Sequence, residues 1–194
     1  WDLWGMRTAN GLPIHGGLGN AFLNSFCFQI DNQHLRHLIF KSSIGTAPGK
    51  KVLTYTDKDG VMYINMRYNE QMKYVRHRLD LGLDVTAAVR EEDCLQLLNS
   101  KAATRSGVSM IIADFDDIRS ADLYRIKELM LEGLPLDGQE FVIACDKNPV
   151  AGLGFIRRFE SATLIPGEKA LYLKPMDSIK TTRDHDDYDG MVLE

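Results

Sequence analysis

Three acidic residues lie where metal chemistry is often found, directly after apolar runs. Asp114 and Asp116 follow the run at residues 108–112, and Asp146 follows the run at residues 141–144. Carboxylates at the carboxyl ends of strands commonly hold the divalent ion of phosphoryl-transfer enzymes. One hypothesis is therefore a divalent-metal-dependent enzyme that acts on phosphate esters or nucleotides through Asp114, Asp116 and Asp146.

The competing interpretation of these acids, which we favour, is a solvated loop. An Asp-x-Asp pattern after a strand is common, and short acidic side chains suit a loop that leads into a helix. No lysine or arginine at a recognisable spacing accompanies Asp114 and Asp116. From the sequence we therefore assign no catalytic, cofactor-binding or metal-binding residue.

Other familiar site motifs are incomplete. The run that begins at Gly45 is one residue short of a phosphate-binding P-loop, and neither Gly17 nor Gly152 begins a complete dinucleotide-binding motif. His185 occupies a position at which a calcium loop needs an acid or an amide. Cys94 lies among acidic residues, which disfavour its thiolate. The sequence predicts no resident cofactor.

The composition is that of an ordinary globular protein. Of 194 residues, 44% are apolar and 26% are charged, and the formal net charge is −4. The length suits one main domain, and the negative charge does not call for a nucleic-acid or membrane partner. Three cysteines far apart in the sequence favour free thiols and a reducing compartment. No apolar run approaches the roughly 18 residues of a membrane span, so we expect no membrane contact.

The stretch at residues 107–144, which would have to position the acids, predicts strand, helix and strand. Residues 108–112 and 141–144 are short β-rich runs. Between them, residues 120–133 carry apolar side chains at helical spacing, after a serine suited to an N-cap and before a glycine suited to a C-cap. We expect a helix there.

The rest of the chain predicts an α+β domain over residues 21–194, with a mixed sheet, two or three helices and a protruding β-hairpin. The hairpin is predicted at residues 52–68. Helices are predicted from Asn69 to near Gly82 and at residues 86–99. Residues 152–159 are predicted to be a strand with a bulge, and residues 170–173 another strand.

Residues 1–20 predict an extended N-terminal arm, because glycines are frequent and Trp1, Leu3 and Trp4 are costly to leave in water. We favour packing on its own domain, with packing on a neighbouring subunit as the alternative. Eight cations could form a patch that contacts phosphate without reading base sequence, pair with carboxylates between subunits, or remain a solvated face. They are Lys50, Lys51, Arg67, Lys73, Arg76, Arg78, Arg157 and Arg158.

The order of turns and strands over residues 120–175 resembles the closing region of tailed-phage major capsid proteins. The resemblance consists of a predicted helix, the turn at 134–138, the run at 141–144 and the turn and strand at 161–173. The chain is shorter than intact members, so the usual axial domain would have to be reduced. The resemblance implies a self-assembling virion structural protein that acts through subunit interfaces.

This resemblance also sets expectations about partners. It implies a homo-oligomer in a phage capsid, assembled in the host cytoplasm, with other virion proteins and non-specific nucleic acid as further contacts. The sequence leaves enzymatic activity open and favours a chain without it.

Overall fold

In this computed structural model, the structure describes residues 24–40, 46–113, 118–132, 134–136 and 140–176. The described residues form fifteen strands, two short α-helices and one 3₁₀ turn at Pro166–Glu168. The strands are β1 (Cys27–Asp31), β2 (Arg36–Phe40), β3 (Lys50–Leu53), β4 (Tyr55–Thr56), β5 (Met62–Arg67), β6 (Val75–Leu79), β7 (Ala87–Arg90), β8 (Ala103–Ala113), β9 (Ile118–Ile126), β10 (Met130–Leu131), β11 (Leu134–Pro135), β12 (Phe141–Asp146), β13 (Val150–Ala151), β14 (Phe159–Ile165) and β15 (Ala170–Pro175). The helices are α1 (Glu91–Asn99) and α2 (Leu153–Ile156). None of the described helices is long and apolar enough to cross a membrane.

The first sheet joins early and late parts of the chain. Its strand order is β2-β1-β14-β15-β3, and every neighbouring pair is antiparallel. Strand β14 is almost wholly buried, because it lies in the middle of this sheet.

The second sheet is larger and mixed. Its strand order is β11-β10-β5-β6-β13-β7-β12-β9-β8, and β4 adds to β5. The β6–β13 and β7–β12 pairs are parallel, while the other pairs are antiparallel.

Apolar side chains lie on both faces of the second sheet, because successive residues of a strand point to opposite faces. On β12, Phe141 and Ile143 belong to the main core, whereas Ala144 belongs to a smaller group. We call this group the second apolar cluster. It consists of buried Val85, Ala88, Ile112, Ala121, Ala144 and Val150, with partly buried Leu83, Met110, Leu123 and Val142.

The predicted α+β class is wrong, because the described residues are mostly β. The helix predicted from Asn69 is instead β6 over its second half. Val75, His77 and Leu79 alternate with two arginines, and this period of two outweighs the weaker helical spacing.

The helix predicted at residues 120–133 is also wrong, because residues 118–126 form β9. This strand pairs with β8 on one side and β12 on the other, so tertiary pairing satisfies its backbone on both edges. Residues 152–159 contain α2 rather than a continuous strand, and the helix predicted at 86–99 begins only at Glu91. The strands predicted at 108–112, 141–144 and 170–173 are confirmed.

The predicted N-terminal arm at residues 1–20 lies outside the described residues, and the division into an arm and one domain stays a prediction. Over residues 52–68, β4 pairs with β5 across a turn in which Gly60 has a φ of 79°. Strand β3 instead pairs with β15 in the first sheet.

Candidate active site

Asp80 follows directly on β6 and is fixed by backbone hydrogen bonds. Its N–H donates to the carbonyl of Ala151 at 2.9 Å. Its Oδ1 accepts the N–H of Gly82 at 2.9 Å, the short-range bond that aspartate forms with the backbone two residues further on. The carboxylate therefore has a defined position at the end of a strand within the second sheet.

The Asp80 loop, residues 80–86, runs against the segment that leads into α2. Leu153 N–H donates to the Leu83 carbonyl at 2.6 Å, and Gly152 N–H donates to the Thr86 carbonyl at 3.1 Å. A Cβ at Gly152 would lie 2.3 Å from the Val85 carbonyl oxygen, so only glycine allows this approach.

A second glycine makes the same close approach two residues later. A Cβ at Gly154 would lie 2.6 Å from the carbonyl oxygen of Asp84. The two glycines allow two backbone segments to pack directly against each other, which holds the Asp80 loop without a side chain between them.

The strand register places the Asp80 loop at one edge of the second apolar cluster. Arg78 lies opposite Val150, which in turn lies opposite Ala88, and the row continues through Ala144 to Leu123. Paired residues share a face of the sheet, so Arg78 lies on the same face as the cluster. Leu83 and Val85 of the Asp80 loop themselves pack into the cluster.

The charges around Asp80 are paired and accessible to water. Arg78 Nη2 lies 3.0 Å from Asp80 Oδ2, and the side chains are 43% and 38% exposed. Asp84, further along the loop, pairs with Arg157, and both side chains are about half exposed. Exposed ion pairs of this kind stabilise a fold by about 1 kcal/mol at most, so either pair can be exchanged for a contact with a ligand.

The hairpin of β8 and β9 flanks the same cluster. It contributes Ile112 and Ala121 to the cluster. It also leaves Val108, Ile111 and Ile118 more than half exposed. Ile111 follows Met110 and precedes Ile112 in β8, and Ile118 lies opposite Ala113, so Ile111 and Ile118 belong to the face of the hairpin opposite to the cluster.

Asp146, one of the three candidate metal ligands, has its carboxylate bound by an arginine. Arg119 Nε lies 2.7 Å from Asp146 Oδ1 and its Nη2 lies 2.8 Å from Oδ2. The Asp146 side chain is only 5% exposed. Burial alone would raise the pKa of Asp146, but the bonds from Arg119 outweigh it and lower that pKa.

The metal-dependent enzyme hypothesis is therefore wrong on the residues that can be tested. Both oxygens of Asp146 are engaged by Arg119, and no group of three or more His, Cys, Asp or Glu residues suited to a metal exists in the described part of the chain. Asp114 and Asp116 lie outside the described residues.

The predicted cation patch is divided among several contacts. Lys51 lies 3.7 Å from Glu168. Arg67 stacks on Tyr74, and Arg76 stacks on Tyr55. Contact with nucleic acid stays a prediction.

Comparison with known proteins gives no family for this chain. No family model matches, and no curated protein matches. A solved structure described as a retropepsin-like aspartic protease from Rickettsia conorii is 15% identical, and the alignment covers 64% of this chain and 89% of that one, with a TM-score of 0.42. A likeness this distant assigns no activity.

The capsid resemblance is wrong. The helix on which it depended, at residues 120–133, contains strand β9 instead, and neither a family model nor a curated protein supports it. The assignments as a phage virion structural protein are therefore withdrawn. The expectation that the chain is not an enzyme is withdrawn as well.

Sequence reasoning missed Asp80 because its segment was assigned to the end of a helix. The signal that could have found it is the alternating strand at residues 75–79 followed by Asp-x-Gly at residues 80–82. That pattern is typical of a strand that ends in an aspartate-stabilised turn.

Proposed function

We propose that this chain is a hydrolase of peptide bonds that acts as a homodimer, with Asp80 of each copy as the catalytic carboxylate. The observation that carries the proposal is the position of Asp80. The carboxylate is fixed by the Gly82 N–H, partly exposed, and lies on a loop that packs into the second apolar cluster.

Two carboxylates that share one proton can hydrolyse an amide without a metal. The ionised carboxylate takes a proton from water as the water oxygen bonds to the carbonyl carbon. The protonated carboxyl donates its proton to the carbonyl oxygen, and the leaving nitrogen is protonated as the carbon–nitrogen bond breaks.

A second copy supplies the second carboxylate. Among the described residues, the recorded partners of the Asp80 carboxylate are Gly82 and Arg78, and neither is an acid. A two-fold symmetric dimer presents the same residue from both copies, so the two Asp80 side chains would face each other across the axis.

The apolar surface beside Asp80 supports an extended peptide as substrate. The partly buried members of the second apolar cluster, which are Leu83, Met110, Leu123 and Val142, offer contacts for apolar residues beside the cleaved bond. Binding a peptide in this way removes apolar area from water, which stabilises the complex by about 25 cal/mol for each Å² buried.

A second candidate function is peptide binding without catalysis, and the Arg78 contact favours it. A guanidinium 3.0 Å from Asp80 Oδ2 already occupies that oxygen, so it competes with a second carboxylate for this position. The hydrolase requires Arg78 to be displaced when the dimer forms, which the exposure of the pair allows.

The test is cleavage of a peptide library rich in apolar residues by the purified chain between pH 4 and pH 7. We expect cleavage by the wild type, loss of at least about a thousandfold in Asp80→Asn, and retention in Asp84→Asn. Asp84→Asn is a matched control because it changes a carboxylate of the same loop that pairs with Arg157.

Each result separates the two candidates. Peptide binding without cleavage in the wild type would replace the hydrolase with the binding function. Neither binding nor cleavage would refute both, and equal cleavage by Asp80→Asn would refute the assignment of Asp80.

A further inference from the structure

Arg78 is the cation of the proposed site, and its guanidinium lies against the Asp80 carboxylate. Its Nη2 donates to Asp80 Oδ2 at 3.0 Å, and the Arg78 side chain is 43% exposed. The other oxygen, Oδ1, accepts the N–H of Gly82. A peptide that binds beside Asp80 therefore meets a positive charge that solvent also reaches.

The strand register fixes where this charge lies. The Arg78 N–H donates to the Pro149 carbonyl at 3.1 Å. Across the sheet, Arg78 lies opposite Tyr63 of β5 and opposite Val150 of β13. Val150 belongs to the second apolar cluster, and directly paired residues share a face of the sheet. Arg78 therefore stands between the apolar cluster and the Asp80 carboxylate.

The acids of the Asp80 loop leave Arg78 with unused donors. Asp84 pairs with Arg157, and in the described part of the chain the one recorded ion pair of Arg78 is with Asp80. The proposed dimer displaces Arg78 from Oδ2. Its guanidinium, which carries five N–H donors, is then available to a carboxylate that arrives with the peptide.

We propose that Arg78 selects peptides with a glutamate or aspartate beside the cleaved bond. This selectivity rests on the proposed hydrolysis at Asp80, for which it names the substrate class. A substrate carboxylate can accept two parallel N–H bonds from the guanidinium. The preferred substrate is therefore an apolar peptide with an acidic residue next to its central bond.

The same exchange frees the oxygen that catalysis needs. Arg78 competes with the second carboxylate for Asp80 Oδ2, and a substrate carboxylate removes that competitor. An acidic substrate should therefore raise kcat as well as lower KM. A contact that contributed only to binding would lower KM and leave kcat unchanged.

Two-fold symmetry makes the preference equal on the two sides of the cleaved bond. Each copy brings one Arg78 beside its own Asp80. An acidic residue should be favoured either before or after the cleaved bond, and a lysine or arginine should be disfavoured at both places because like charges repel.

The experiment uses two apolar peptides that differ only in having glutamate or glutamine beside the central bond. With the purified wild-type chain at pH 6, we expect kcat/KM to be about tenfold higher for the glutamate peptide. The ratio should fall towards one below about pH 4.3, where the glutamate becomes protonated. Because the two peptides are compared at each pH, titration of the enzyme itself cancels from the ratio.

Three variants assign the preference to one side chain. Arg78→Met should abolish the ratio and cleave the glutamine peptide faster than the wild type does, since Oδ2 no longer has a competitor. Arg78→Lys should keep part of the ratio, because it keeps the charge but loses the two-bond fork. Arg76→Met is the matched control: Arg76 lies on the same strand, but its guanidinium stacks 5.1 Å from the ring of Tyr55, so the full ratio should remain. Circular dichroism checks that each variant is folded.

Fluorescence anisotropy with the same peptides separates the selectivity from the hydrolysis. Tighter binding of the glutamate peptide without cleavage, lost in Arg78→Met, would refute the hydrolysis and support selection by Arg78. Equal cleavage of the two peptides by the wild type, or a glutamate preference that survives in folded Arg78→Met, would overturn the selectivity while the hydrolysis stands. Neither binding nor cleavage of either peptide would overturn both.

Discussion

His77 is a buried imidazole whose surroundings hold it neutral. Its Nδ1 donates to the Val75 carbonyl at 2.8 Å, and its Nε2 is paired with the hydroxyl of Tyr68. Burial lowers the pKa of His77 to about 4, with a smaller opposing effect from the Val75 hydrogen bond. The protonated form is therefore costly only in the folded chain.

This predicts a loss of stability in mild acid. The unfolded chain binds the proton near pH 6.5 while the folded chain does not bind it until about pH 4, so protons favour unfolding across this range. The free energy of unfolding should fall by about 3 kcal/mol between pH 7 and pH 4. Urea unfolding at a series of pH values measures it.

Two histidine variants identify the source of that slope. In His77→Gln the pH dependence between pH 4 and pH 6.5 should largely disappear. His34 is exposed and pairs with Asp31, so His34→Gln should keep the slope. An unchanged slope in His77→Gln would show that another group is responsible.

At the scale of the elements, the Arg119–Asp146 pair ties β9 to the end of β12. Replacement of Arg119 by methionine leaves a carboxylate that is 5% exposed without its partner. We expect a loss of about 3 kcal/mol in the free energy of unfolding at pH 7. The loss should shrink as the pH falls towards 4, because the unpaired, buried Asp146 then takes up a proton.

Arg125→Met is the matched control for this pair. Arg125 also lies on β9 and pairs with Glu140 at 2.9 Å, but both side chains are about half exposed. Its loss should cost less than about 1 kcal/mol. Similar losses in the two variants by chemical denaturation would contradict the special role of the buried pair.

The close packing beside the Asp80 loop gives a second prediction for the elements. Gly152→Ala places a Cβ 2.3 Å from the Val85 carbonyl oxygen, so the two backbone segments must separate. We expect a loss of about 2–3 kcal/mol by thermal or chemical unfolding. Gly167→Ala meets nothing within 4 Å and should change stability by less than about 0.5 kcal/mol.

The elements that sequence predicted correctly are those whose pattern has one reading. Residues 141–144 form a short apolar run, which is a strand whichever face of the sheet its side chains cover. The spacing of Leu123 and Ile126 fits a helix as well as a strand, and the pairing of β9 with two neighbours decides for the strand. Long-range pairing of this kind leaves no local signal in the sequence.

The same limit explains the candidate site. Asp146 could be identified from its position after an apolar run, but its arginine partner is 27 residues away. The position of the Asp80 loop depends on close packing against Gly152 and Gly154, which lie much later in the sequence. Only the fold brings these residues together.

At the scale of the whole molecule, the proposed dimer predicts suppression by an inactive copy. Mixed dimers of wild type and Asp80→Asn contain one carboxylate and should be inactive. With a ninefold excess of Asp80→Asn, after exchange of subunits, activity per wild-type chain should fall to about one tenth. Undiminished activity in the mixture would show that one copy is sufficient.

The first sheet has a consequence for synthesis on the ribosome. Strand β1 pairs with β14, and β3 pairs with β15, so strands made early wait for partners made more than a hundred residues later. High contact order of this kind slows folding. A nascent chain arrested before Ala170 carries β3 without its partner β15, so that edge of β3 is open. Stalled or truncated products of this chain are therefore expected to expose β3 to chaperones and proteases.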